Sequence, residues 1–139
     1  MMVRNKVALL AGLLCFMLPG LSVSAAKSEY LFDTLKKPGY RRAWDTLLRG
    51  QRVEAWLARY SRTHNGVTMP CGTITVQGVR YQEGSVCKPH DCPSSRFYVL
   101  FAPKGRKAWG VLVESGASKR FFGNPNETLR ATLVGMIDQ

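Results

Sequence analysis

The chain has 139 residues and carries 20 Lys or Arg against 9 Asp or Glu, a formal charge of +11 at pH 7. That length leaves room for one compact domain and excludes a second. The charge favours acidic partners such as anionic glycans, phospholipid head groups or a carboxylate-lined cleft, unless it serves solubility alone.

Residues 1–26, "MMVRNKVALLAGLLCFMLPGLSVSAA", have the layout of a secretory signal peptide. A short basic front (Arg4, Lys6) precedes an apolar run from Val7 to Leu18, a Pro19-Gly20 break and the small residues Ser24, Ala25 and Ala26. The run falls short of the roughly 20 apolar residues that a bilayer-spanning helix needs, so no stable membrane insertion is expected. Cleavage after Ala25 or Ala26 would remove Cys15, whose bulky neighbour Leu14 argues against lipoprotein processing. Residues 27–139 then form a single exported domain, and export makes nucleic acid the weakest candidate among acidic partners. Three cysteines remain in it: Cys71, Cys87 and Cys92. In an oxidising compartment two should pair, and the short spacing makes Cys87–Cys92 the natural ring. Cys71 is left as a buried free thiol, a competitor for the ring cysteines, or a link to a second chain and hence a homodimer.

From Tyr30 to Tyr60 the apolar spacing is helical. "YLFDTLKK" sets Tyr30, Leu31 and Leu35 near one face before Pro38-Gly39. "YRRAWDTLLRG" spaces Trp44, Leu47 and Leu48 three and four apart and stops at Gly50, and "VEAWLARY" groups Val53, Trp56, Leu57 and Tyr60. These aromatic residues read as core. After Asn65-Gly66 the period becomes two: "TITVQGVRYQ" alternates Ile74 and Val76, turns or bulges at Gly78, and continues through Val79 and Tyr81. "RFYVLFA" (96–102) is a dense apolar strand expected at the sheet centre, the "PKGR" turn returns the chain, and "AWGVLVES" should lie antiparallel to it. A short strand at Arg120 to Phe122 follows. In "NPNETLRATLVGMI" Asn124 is expected at the N-cap, Pro125 at N1 and Glu127 at N3, with Leu129, Leu133, Met136 and Ile137 as the apolar stripe. Helices, then an antiparallel sheet, then a closing helix make the class α+β.

The chemistry concentrates in "CKPHDC", residues 87–92. A structural zinc site wants four thiolate or imidazole ligands, usually in two spaced pairs, and Cys87, His90, Cys92 and a distant Cys71 are poor material for it. A thioredoxin-like redox pair has two intervening residues, whereas this ring has four and sits between strands. Enzymatic use of His90 would need a partner in a pocket, and Asp91 is too close in sequence to serve. No metal, no cofactor and no catalytic role are therefore expected. As a mere staple the ring does little, because so small a loop removes only on the order of 3 kcal/mol or less of unfolded-chain entropy. Its stronger effect is on shape. Pro89 fixes its own φ and restricts Lys88, and Pro93 restricts Cys92, so a polar tip carrying Lys88 and His90 is ordered before a partner arrives.

At these residues the chain resembles the Ivy-type inhibitors of vertebrate, C-type lysozyme from Gram-negative bacteria. "CKPHDC" reproduces the family's inhibitory-loop motif. The resemblance extends through "YLFDTLKKPGYRRAWDTLLRGQ", "VRYQEGSVCKPHDCPSSRFYVLFA" and "FFGNPNETLRATLVGM". It implies a periplasmic inhibitor whose central antiparallel sheet is flanked by helices and projects the disulfide-closed loop (Cys87, Lys88, Pro89, His90, Asp91, Cys92) into the lysozyme cleft. It places His90 between the enzyme's two catalytic carboxylates, with Lys88 and Asp91 holding or docking the loop. The same resemblance suggests the bacterium's own lytic transglycosylases as further clients. Cys71 is additional to the two-cysteine pattern, and the positive charge sets this chain against lysozymes that are themselves basic. The alternative reading, carried by "YRRAW" and "PKGRK", is a basic periplasmic binding module for peptidoglycan, lipopolysaccharide or an acidic protein.

Overall fold

A computed structural model of the protein describes residues 27–115 and 117–139; the expected signal peptide lies outside the described residues. Three helices come first: α1 (Leu31–Thr34), α2 (Pro38–Leu48) and α3 (Ala55–Thr63). Six strands follow, β1 (Val67–Thr68), β2 (Thr73–Val76), β3 (Val79–Cys87), β4 (Arg96–Phe101), β5 (Ala108–Val113) and β6 (Arg120–Phe122), before α4 (Glu127–Ile137) closes the chain. The class is α+β, as the order of sequence periods predicts.

All strand pairs are antiparallel, in the order β1-β3-β4-β5-β6, with β2 also on β3. The long strand β3 serves two neighbours on one edge. Its start pairs with β2 through a two-residue turn at Gln77 and Gly78, both at positive φ as a type I′ hairpin requires. Its end pairs with β1, through Val67↔Cys87 and Thr68↔Val86. Strand β1 has no sequence signal, since two residues cannot show an alternation.

Side-chain alternation divides the sheet between two cores. Phe97, Val99 and Phe101 of β4 are buried with Leu31, Trp44, Leu57 and Tyr60 of the first three helices, while Leu100 and Val111 pack with Leu129, Leu133 and Met136 of α4. Trp44 is fully buried and meets Phe97 and Tyr60 edge-on, with ring centroids 5.6 Å and 5.9 Å apart. Of the aromatic residues expected in the core, Trp44 and Tyr60 are buried there, Trp56 is partly buried at its margin, and Tyr30 is partly buried outside both cores.

Two helix ends show how local chemistry sets the boundaries. Helix α2 stops at Leu48 in a turn where Arg49 is extended, Gly50 has φ 70° and Gln51 N donates to Leu48 O at 3.1 Å, so the glycine is needed for its positive φ. At α4 the expected N-cap is corrected by two residues. The cap is Asn126, extended at φ −67° and ψ 174°, whose Oδ1 accepts from Leu129 N at 2.9 Å. Asn124, at φ 52°, belongs to the turn before the helix. The sequence Asn-Pro-Asn offers two candidates, and the second wins because its side chain reaches the N3 amide. Pro125 therefore precedes the cap, and Glu127 is the first helical residue.

Candidate functional site at the loop between β3 and β4

Strands β3 and β4 pair as far as Cys87↔Arg96, so residues 88–95 leave the sheet as a protruding loop. Its root is fixed from three sides. Cys87 is buried between Val67 of β1 and Arg96 of β4, Lys88 N donates to Ser95 O at 3.0 Å, and Cys87 is disulfide-bonded to Cys92 with a Cα–Cα distance of 4.9 Å. The ring pairing is therefore the one the spacing suggests. Among the described residues Cys71 is the free cysteine.

The tip is a four-residue turn, Lys88-Pro89-His90-Asp91, closed by Asp91 N donating to Lys88 O at 3.0 Å. Pro89 occupies the second position, where its ring fixes a negative φ, and His90 the third, at φ 64°. That combination is a type II turn, whose third position favours glycine; a side chain there costs roughly 1–2 kcal/mol. The strained residue is the imidazole, and it is exposed together with Lys88 and Pro89. An outlier of this kind at a loop tip is a pointer to a functional constraint.

The loop's return limb is tied to Asp91. Its carbonyl accepts from Ser94 N at 3.2 Å and Ser95 N at 2.9 Å, and its Oδ2 accepts from the Ser95 hydroxyl at 2.9 Å. Lys88 Nζ lies 3.8 Å from the same carboxylate oxygen, an exposed pair of small energetic weight. Ser95, only 2% exposed, is the buried end of this network and is not identified by the sequence reading. Its one sequence signal is a small hydroxyl side chain four residues after Asp91.

Beside the loop runs a groove of about 440 Å³, between Lys88 and Pro89 on one side and Trp56, Arg59 and Glu114 on the other. Trp56 Nε1 donates to Glu114 Oε1 at 3.2 Å, which fixes the indole at its edge. Among the described residues no three of His, Cys, Asp and Glu converge where a metal ion could be held. The second histidine, His64, caps α3 at φ 53° against Arg41, and burial followed by the Arg41 charge lowers its pKa. Cys71 lies at the α1–β3 contact, its Sγ 3.9 Å from Thr34 Oγ1, and burial pushes its thiol up to about 11.

Fold and loop together define a small α+β domain that presents a disulfide-closed knuckle at one end of an antiparallel sheet. Residues 39–133 match the family described as Inhibitor of vertebrate lysozyme (Ivy), and the chain belongs to that family. Similar proteins include an uncharacterized protein of Yersinia pestis, 28% identical over 87% of this chain and 86% of its own length. The Inhibitor of vertebrate lysozyme of Pseudomonas aeruginosa is 27% identical over 82% of this chain and 81% of its own. The Escherichia coli protein of the same name is 32% identical over 50% of this chain and 41% of its own.

Proposed function

We propose that this protein is a non-enzymatic inhibitor of C-type lysozyme that places the His90 imidazole between the two carboxyl groups of the muramidase cleft. The observation that carries the reading is the exposed His90 held at φ 64° on a turn pinned by the Cys87–Cys92 bridge. The relatives from Pseudomonas aeruginosa and Escherichia coli named Inhibitor of vertebrate lysozyme support the choice of target.

A retaining glycosidase needs one protonated and one ionised carboxyl group about 5 Å apart across the scissile bond. An imidazole has a nitrogen on each side of its ring and can hydrogen-bond to both carboxyl groups at once. It then occupies the sugar's place and fixes the proton that the acid must deliver. Because the loop is ordered beforehand, little conformational entropy is lost on insertion. Asp91 holds the tip through Ser95, and exposed Lys88 docks against the acceptors at the cleft rim. Export by the leader at residues 1–26 would put the protein in the periplasm, between arriving lysozyme and the peptidoglycan.

The test is residual C-type lysozyme activity against rising concentrations of residues 27–139, with H90A as control and circular dichroism to show that both fold alike. Inhibition by the parent and its loss in H90A is the expected result. A parent that does not inhibit at micromolar concentration removes lysozyme as the target.

A further inference from the structure

The basic stretches "YRRAW" (40–44) and "PKGRK" (103–107) take no part in the loop. Strand direction keeps them from it: β3 runs into the loop and β4 returns from it, so the β4–β5 turn lies at the opposite end of the sheet. There the first turn of α2 packs backbone against backbone on the Pro103–Gly105 turn. A Cβ on Gly39 would fall 2.7 Å from Lys104 O, and one on Gly105 2.5 Å from Tyr40 N, so the approach depends on both glycines.

The contact brings Arg42 of the first stretch and Lys104, Arg106 and Lys107 of the second onto one open groove of about 520 Å³, which Thr46 and Gln51 also line. No described carboxylate lines it. All four cations are exposed, and among the described residues none lies within ion-pair distance of an acidic side chain. Arg41, one residue away, differs: its Nε donates to both carboxylate oxygens of Asp45 at 3.0 Å. Helix α2 has no acidic residue in its first turn, so its partial positive charge adds to the same end.

Four cations without counter-charges repel one another, and a bound polyanion would relieve that repulsion. A single carboxylate answers one of them. A phosphate group carries up to two charges and three acceptor oxygens, which suits two guanidinium forks flanked by two ammonium groups. We infer that this groove binds ligands carrying clustered phosphate groups. Such groups occur on the head groups of an anionic bilayer and on soluble polyphosphates. Held on a bilayer by this end, the protein would present the His90 loop away from the surface. The inference stands independently of the lysozyme reading.

Residues 27–139 are tested by co-sedimentation with phosphatidylglycerol/phosphatidylcholine vesicles against pure phosphatidylcholine, and by calorimetric titration with tripolyphosphate. R42Q/R106Q/K107Q is compared with R62Q/R80Q/K119Q, which loses the same charge from other exposed positions. We expect binding in at least one arm, weakened on the order of a hundredfold in the groove variant. The control variant should retain most of it, and lysozyme inhibition should be equal in both variants. Binding to vesicles alone assigns a lipid head group; binding of tripolyphosphate assigns a soluble phosphate ligand. Absence of binding in both arms, or equal weakening in both variants, overturns the site.

Discussion

The Ser95 hydroxyl donates to Asp91 Oδ2 at 2.9 Å while the Ser95 amide donates to the Asp91 carbonyl at 2.9 Å, so one buried residue holds both the side chain and the backbone of the loop's return limb. The disulfide closes the ring, but this pair determines where Asp91 sits and thereby where the preceding turn points. S95A keeps the backbone bond and removes the hydroxyl, a loss of about 1 kcal/mol in loop order. The expected result is an inhibition constant roughly fivefold weaker, with faster amide exchange at Asp91. D91A also loses the Lys88 contact and should weaken inhibition further. If S95A inhibits as well as the parent, the bridge alone orders the tip.

Position 90 should separate stability from function. Its φ of 64° costs a side chain roughly 1–2 kcal/mol, which glycine avoids at the expense of roughly 0.5–1 kcal/mol in unfolded-chain entropy. H90G is therefore expected to be as stable as the parent or slightly more stable in urea denaturation. Inhibition, in contrast, loses two hydrogen bonds, one of them to an ionised carboxylate, and should fall by about a hundredfold. A variant that is destabilised by several kcal/mol would mean that the imidazole has a structural role, contrary to its exposure.

Much of this architecture is legible in the sequence where a period or a fixed backbone angle carries the signal. Trp44 and Leu47 mark a helix by spacing, and residues 96–102 mark a central strand by unbroken apolarity. Two cysteines with Pro89 and Pro93 mark a stiff loop. What escapes is set by distance in space. Strand β1 exists only because β3 outruns β2 and offers Val86 and Cys87 a free edge. Ser95 matters because the loop folds back onto it. Of the adjacent Arg41 and Arg42, one pairs with Asp45 a helical turn on, while the other lines the groove with Lys104, Arg106 and Lys107, a juxtaposition made by the packing of Gly39 on Gly105. The left-handed backbone of His90 is equally invisible in "CKPHDC", since histidine does not announce a positive φ as glycine does.

Charge gives a kinetic signature. The chain's formal charge of +11 includes Arg4 and Lys6 of the expected leader, and residues 27–139 remain strongly basic without them. Against a basic lysozyme the long-range interaction is repulsive, the reverse of steering. Stopped-flow association should accelerate as salt rises from about 0.02 to 0.15 M, where the screening length shortens to about 8 Å. Dissociation, governed by contacts in the cleft, should change less. An association rate that falls with salt would show that an acidic face of one partner dominates the approach.

Cys71 gives the stability of the fold a pH dependence. Burial raises its pKa from an ordinary 9.0 to about 11, so the folded protein disfavours the thiolate. Below pH 9 the thiol is neutral in both folded and unfolded chains, and its contribution to stability is fully present. Between pH 9 and 11 the unfolded chain releases the proton first, and stability falls as pH rises. Denaturant unfolding across this window should therefore show a steeper decline for the parent than for C71S, whose hydroxyl does not titrate. Tyr60, whose phenol is pushed up first by burial and then by the Cys71 charge, adds its own decline above pH 10, so the thiol is read between pH 9 and 10. Iodoacetamide provides a second readout. At pH 8 the shift lowers the thiolate fraction by about a hundredfold, so alkylation of the native protein should be slower than that of a free thiol by at least that factor and become rapid on unfolding. Fast alkylation of the native protein would place the thiol at the surface, where it could join two chains through a disulfide.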